Sequence, residues 1–268
     1  MITKPALTLA LSALTALASY ALLTTLGPDW TRFLPATCRA THCFCEVPRT
    51  GMLILQPANS WSSFGFVAVG FWIILEAGRP SPIRPRTPFA GFPAIWFALT
   101  AILIGVGSFL LHATLTLWGQ FWDVVGMYLF SAFTLTYAFR RWRALGDAPA
   151  VLLYLALCAV LIGFLIAIPE TRRWLFAVVL IADIAIEMTL ARPKRPGVEV
   201  RWYLYGIALQ ATAFAIWIAD LTRTLCDGNS LIQGHAAWHL LNAAAVWSAY
   251  RYYRSEGVTP GDAVVKPA

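Results

Sequence analysis

The sequence predicts an all-α protein folded as a helical bundle inside a membrane, and three observations carry that prediction. Of the 268 residues 59% are apolar and only 12% charged, about half the charged share of an ordinary soluble domain. The apolar residues come in unbroken runs of about 20, the length that crosses about 30 Å of hydrocarbon at 1.5 Å per residue. The runs also lack the strict alternation of a β-barrel, and a backbone in lipid must satisfy its own polar groups, which leaves helices. A cytosolic globule is excluded.

Eight spans follow along the chain: 6–26, 57–76, 90–112, 118–140, 149–168, 172–190, 201–221 and 232–252. The first follows Lys4 and has small residues near its end (Ala18, Ser19, Ala21) that would permit signal cleavage. It is longer than a usual signal core, so it reads as a retained helix. Between the second and third, the stretch Gly78 to Pro93 holds Pro80, Pro82, Pro85 and Pro88 and reads as a stiff extended connection. Pro149, Pro169, Pro193 and Pro196 mark later joints. The chain divides into an N-terminal hydrophobic helix at 1–30, anchor or signal, a cysteine-containing outer loop at 31–56, a helical core at 57–254 and a cytoplasmic tail at 255–268.

The cations orient the bundle. Lys4, Arg79, Arg84, Arg86, Arg140, Arg141, Arg143, Arg192, Lys194, Arg195, Arg201, Arg251, Arg254 and Lys266 flank one side, against Arg32, Arg39, Arg49, Arg172, Arg173 and Arg223 on the other. The positive-inside rule then places both termini in the cytoplasm. It also accounts for the net charge of +7 through anionic headgroups, with no nucleic acid. Cys38, Cys43, Cys45 and Cys226 all fall in loops on the outer, oxidising side, where a disulfide can join the first loop to the last. The alternative is metal binding by Cys38, His42, Cys43 and Cys45, whose spacing fits no common zinc pattern. Cys158, within a span, reads as a small buried hydrophobe.

Ionisable groups inside apolar spans are costly, which makes each a functional candidate. His235 and His239 are four apart and share one helix face. His112 closes the third span with Ser108 on the same face, and Asp123 lies one turn into the fourth. All fall in the outer half of the bundle. Three neutral imidazoles with an open position are the donor set of a catalytic zinc site, which lowers the pKa of bound water. A neighbouring carboxylate can take the water's proton and a serine can donate to an oxyanion. The plainer alternatives are histidines that hydrogen-bond between helices, or a histidine pair holding haem iron. His42 reads as an exposed loop residue.

At these residues the sequence resembles the CREST superfamily of membrane hydrolases, and within it most closely the alkaline ceramidases. The superfamily signature is Ser-x3-His on one helix, Asp on the next and His-x3-His on the last, here Ser108, His112, Asp123, His235 and His239. Cys45-Glu46, Gln56-Pro-Ala-Asn59-Ser-Trp-Ser62, and Ala219-Asp220 with Cys226 are similar to further ceramidase segments. The likeness covers about residues 43 to 252, which makes spans two to eight a seven-helix core and span one an addition.

The resemblance implies a zinc amide hydrolase that cleaves ceramide into sphingoid base and fatty acid. Zinc would sit on His112, His235 and His239, Asp123 would activate water, Ser108 would stabilise the oxyanion, and Cys45 would pair with Cys226. Calcium, which some ceramidases bind around the Cys-Glu segment, is not carried over, because Gln56 and Pro48 stand where an acid and an Asn belong. Asn59, Ser62 and Asp220 are expected to support the ligands or hydrogen-bond between helices. Trp122 and Trp238 flank the site as candidate walls of an acyl-chain pocket. Asp183 and Glu187 share a face of the sixth span and either neutralise an arginine or form a proton relay or cation site. The expected partner is a ceramide-like membrane lipid, with no protein partner. An ester-cleaving relative and a receptor-like lipid binder are the alternatives.

Overall fold

The structure, a computed structural model, describes residues 3–39, 43–77, 87–195 and 197–257. Among them lie nine α-helices and no strand beyond the bridge pairing Pro35 with Thr116. They are α1 (Lys4–Leu26), α2 (Pro57–Ser62), α3 (Phe64–Ala77), α4 (Phe92–Thr114), α5 (Leu117–Arg143), α6 (Asp147–Ala167), α7 (Arg172–Ile186), α8 (Val200–Leu221) and α9 (Gly234–Arg254). All eight expected spans are helical, the second broken at Ser63 into α2 and α3. Pro93 sits in the first turn of α4 rather than in the connection, because a first-turn residue has no intrahelical N–H bond to lose. His42, Pro80, Pro82, Pro85, Pro196, Arg79, Arg84, Arg86 and Lys266 lie outside the described residues.

Six helical segments are long and apolar enough to cross a membrane, so the protein is an integral membrane protein. The two spans that miss this measure are α5 and α9. They carry Asp123 and the Arg140, Arg141, Arg143 turn, and His235, His239 and Arg251. Their polarity goes to the bundle interior: His235, His239, Gln120 and Arg141 are all buried.

Close approach of α4 to α5 positions the site. A Cβ on Gly107 would lie 2.8 Å from the backbone nitrogen of Asp123, and one on Gly126 would lie 2.7 Å from that of Ile104. Only glycine lets the two backbones touch there, in the manner of small-residue contacts between membrane helices. Leu115 and Thr116 turn the chain between them. Leu115 takes a φ of 48°, and Thr116 Oγ1 accepts from the Gly119 N–H at 3.1 Å.

The opposite end of the bundle is held by buried charge. Arg141 pairs with Glu187 and, at 2.8 Å, with Glu256, while the Tyr252 hydroxyl donates to Glu187. Glu187 therefore neutralises an arginine. Asp183 instead lines a cavity among α5, α7, α8 and α9. At the N-terminus, Lys4 pairs with Glu76 and lies 4.1 Å from the Trp72 ring centroid, tying α1 to α3.

Two disulfides close the histidine end: Cys45–Cys226, across 181 positions, and Cys38–Cys43. Together they overturn the alternative of a metal cluster on Cys38, Cys43 and Cys45, since all three sulfurs are in covalent bonds. The free cysteine is Cys158, buried as expected. A crosslink over so long a loop restricts the unfolded chain strongly. Cys226→Ser is expected to cost about 2–5 kcal/mol, read as a lowered thermal midpoint of the helical circular dichroism in detergent.

Candidate active site

Three histidines from two distant helices converge. His112 lies in the last turn of α4, and His235 and His239 lie in the first two turns of α9. All three are buried, and each offers a ring nitrogen within 4.8 Å of the other two, so the group can hold a metal ion. His112 Nε2 and His235 Nε2 stand 3.1 Å apart. Tetrahedral zinc with Zn–N near 2.0–2.1 Å separates its nitrogens by about 3.3 Å, which this spacing approaches.

The tautomers follow from the partners. Gln56 Nε2 donates to the Glu46 carbonyl at 2.7 Å, which fixes the amide so that its oxygen faces His112 Nδ1 at 3.0 Å. An amide oxygen only accepts, so Nδ1 carries the proton and Nε2 presents its lone pair to the centre. His239 is set in the same way. Ser62 spends its hydroxyl proton on the Asn59 carbonyl at 2.9 Å and thus accepts from His239 Nδ1 at 2.8 Å. His235 Nδ1 has no hydrogen-bond partner among the described residues. Its backbone N–H is held by Asp220 Oδ1 at 3.1 Å, while Asp220 Oδ2 accepts from the Cys45 N–H at 3.0 Å. One carboxylate thus pins the start of α9 to the disulfide-bearing loop.

Ser108 Oγ lies 3.0 Å from His239 Nε2 and stands beside the Asp123 carboxylate, between that imidazole and the acid. Arg172 at the start of α7 faces the same carboxylate. Phe44 packs on His112 and His235 with ring centroids at 4.6 and 4.1 Å, and Trp238 stacks on His235 at 5.2 Å. These two rings cover the faces of the His235 imidazole. Trp238 also lines the cavity that runs on to Asp183 and Tyr203, whereas Trp122 is 43% exposed and turns away from it.

The structure brings Ser108, His112, Asp123, His235 and His239 together, with Ser62 and Asp220 touching the ligands as supports. Asn59 acts differently: its buried side-chain amide has no partner among the described residues, and its backbone carries the contacts to Ser62 and Glu46. Gln56, read in the sequence only as a missing acid, was the overlooked support, and its place immediately before Pro57 at a helix start was the available signal. Phe44 was overlooked as well, although it adjoins Cys45.

Glu46 is held by the start of α2, with Asp220 the acid that acts on it among the described residues. Its two carboxylate oxygens accept from the Ala58 and Asn59 N–H groups, each at 2.8 Å, at the start of α2. Burial pushes the Glu46 carboxyl above its ordinary range, and the two N–H bonds offset part of that rise. Groups that hydrogen-bond the far nitrogen of a metal-binding histidine commonly set metal affinity. Gln56→Leu is expected to weaken metal binding about 10- to 100-fold, measured by competition with a chelator.

No curated protein matches the chain. The family model described as Ceramidase matches residues 40–256, from the first cysteine loop through the end of α9. That span contains both halves of the histidine cluster and the Cys45–Cys226 bond, and it leaves residues 1–39, with α1, and 257–268 outside. The chain belongs to the ceramidase family.

Proposed function

We propose that the protein is a zinc-dependent amide hydrolase that cleaves ceramide-like N-acyl lipids into a sphingoid base and a fatty acid. The observation that carries this reading is the set of three imidazoles, two with Nε2 freed by their Nδ1 partners, beside a serine–aspartate pair. Zinc on His112, His235 and His239 would supply a Lewis acid and water of lowered pKa.

The remaining roles fall to the chain's own side chains. The Asp123 carboxylate is placed to accept a proton from the attacking water and pass it to the leaving amine. Ser108 turns its hydroxyl to the amide oxygen as negative charge develops there. Trp238 and the cavity toward Tyr203 receive a lipid chain and keep water from it. Gln56 and Ser62 hold their imidazoles in one tautomer.

Both disulfides lie at the histidine end, which supports placing that end on the oxidising side, with the site in the outer half of the bilayer and both termini cytoplasmic. The Lys4–Glu76 pair supports α1 as a retained anchor on a seven-helix core spanning 57–254.

The test is release of fatty acid and sphingoid base by the purified protein in detergent from a ceramide panel, beside esters of matched chain length. Release from ceramides is the expected result. Turnover of the esters alone would overturn the amide assignment, and turnover of neither would overturn hydrolysis.

A further inference from the structure

At the end of the bundle away from the histidines, α4 and α6 flank the last turns of α5 and leave a groove of about 580 Å3. Its walls are aromatic. Phe92 is 71% exposed, and Trp96 Nε1 donates to the Tyr154 hydroxyl at 3.0 Å across the groove. At the rim Arg140 pairs with Asp147 at 2.6 Å, the two side chains 33% and 69% exposed. Deeper lies Thr136, 6% exposed, whose hydroxyl has no hydrogen-bond partner among the described residues. Helical hydroxyls commonly bond back to the preceding turn, as Thr134 and Ser248 do here at 3.1 and 3.0 Å. Thr136 leaves that option unused and faces the groove.

We propose that this groove binds one glycerophospholipid with a phosphoethanolamine head. Its phosphate would meet Arg140, its ammonium would meet Asp147, and an ester carbonyl would accept from Thr136. Among the described residues the rim carries one charge of each sign, so a zwitterion puts each charge opposite its complement, whereas an anionic head sets its surplus charge against Asp147. A primary ammonium can donate hydrogen bonds to that carboxylate, and a quaternary one cannot. Register agrees with this placement. Thr136 is one turn from Arg140 on the same face of α5, about 6 Å deeper, which is where glycerol esters lie beneath a phosphate. The apolar walls then take the beginning of an acyl chain. None of this draws on the histidine site.

The test uses the delipidated full chain in mild detergent, given equal amounts of phosphatidylethanolamine, phosphatidylcholine and phosphatidylglycerol of one acyl composition, with retained lipid counted by native mass spectrometry. Phosphatidylethanolamine should be retained over the other two by about five-fold. Arg140→Gln, Asp147→Asn and Thr136→Val should each reduce that retention several-fold, with unchanged helical circular dichroism. Equal retention of the three lipids, preference for phosphatidylglycerol, or choline held as well as ethanolamine would each overturn the proposal. Should the charge variants misfold, Thr136→Val, near-isosteric and uncharged, decides alone: retention equal to the unsubstituted chain overturns it.

Discussion

His239→Ala is expected to yield a folded protein that holds no metal and releases no fatty acid from ceramide. The imidazole meets Ser108 at Nε2 and Ser62 at Nδ1, and its removal leaves His112 and His235 as a two-nitrogen set. Catalytic zinc sites need three protein ligands with a fourth position open, so the loss should be complete and not graded. Metal analysis of protein purified without chelators should give one zinc per chain before the substitution and a trace after it. Two added readouts separate chemistry from misfolding: helical circular dichroism should be unchanged, and free imidazole should restore part of the activity by filling the space left behind. Undiminished release by the variant would sink the site, and stoichiometric iron with a Soret band in the parent would sink zinc.

Asp123→Asn should keep the metal and lose the rate. The amide is nearly isosteric, but it cannot take a proton from water. General acid–base groups contribute about 10²–10⁴-fold, so kcat should fall by that factor with KM and zinc content close to those of the parent. The acid limb of the pH–rate profile, which reports the base losing its activity on protonation, should flatten. A drop in bound zinc equal to the drop in rate would make Asp123 a structural support and not the base.

The fold and the five central residues were legible in the sequence for one physical reason. A bilayer sets span lengths and makes every polar group inside it costly, so His112, Asp123, His235 and His239 stand out against apolar runs. The supports were less legible. Gln56 is neutral, sits at a loop–helix boundary and carries no cost signal, although it sets the tautomer of His112. Phe44 is apolar among apolar residues. The Cys38–Cys43 bond was hidden because connectivity cannot be deduced from the positions of cysteines alone. The break at Ser63 leaves no trace in hydropathy, as α2 and α3 together still make one apolar stretch. Asn59 was marked for its side chain, yet its main chain makes the contacts.

The centre is assembled from three stretches that lie far apart along the chain: 44–62 before the first long connection, 108–123 across the α4–α5 turn, and 220–239 across the last loop. Neither half of the molecule contains a competent ligand set, since His112 belongs to one and the His235–His239 pair to the other. On the proposed function, metal capture would therefore end the folding sequence and not seed it. Before α9 packs against α4, an ion would meet no more than two of these nitrogens. For the proposed hydrolase, this arrangement would itself be a safeguard: a chain that has not yet brought the third nitrogen to the other two would have no means of cutting the lipids that surround it.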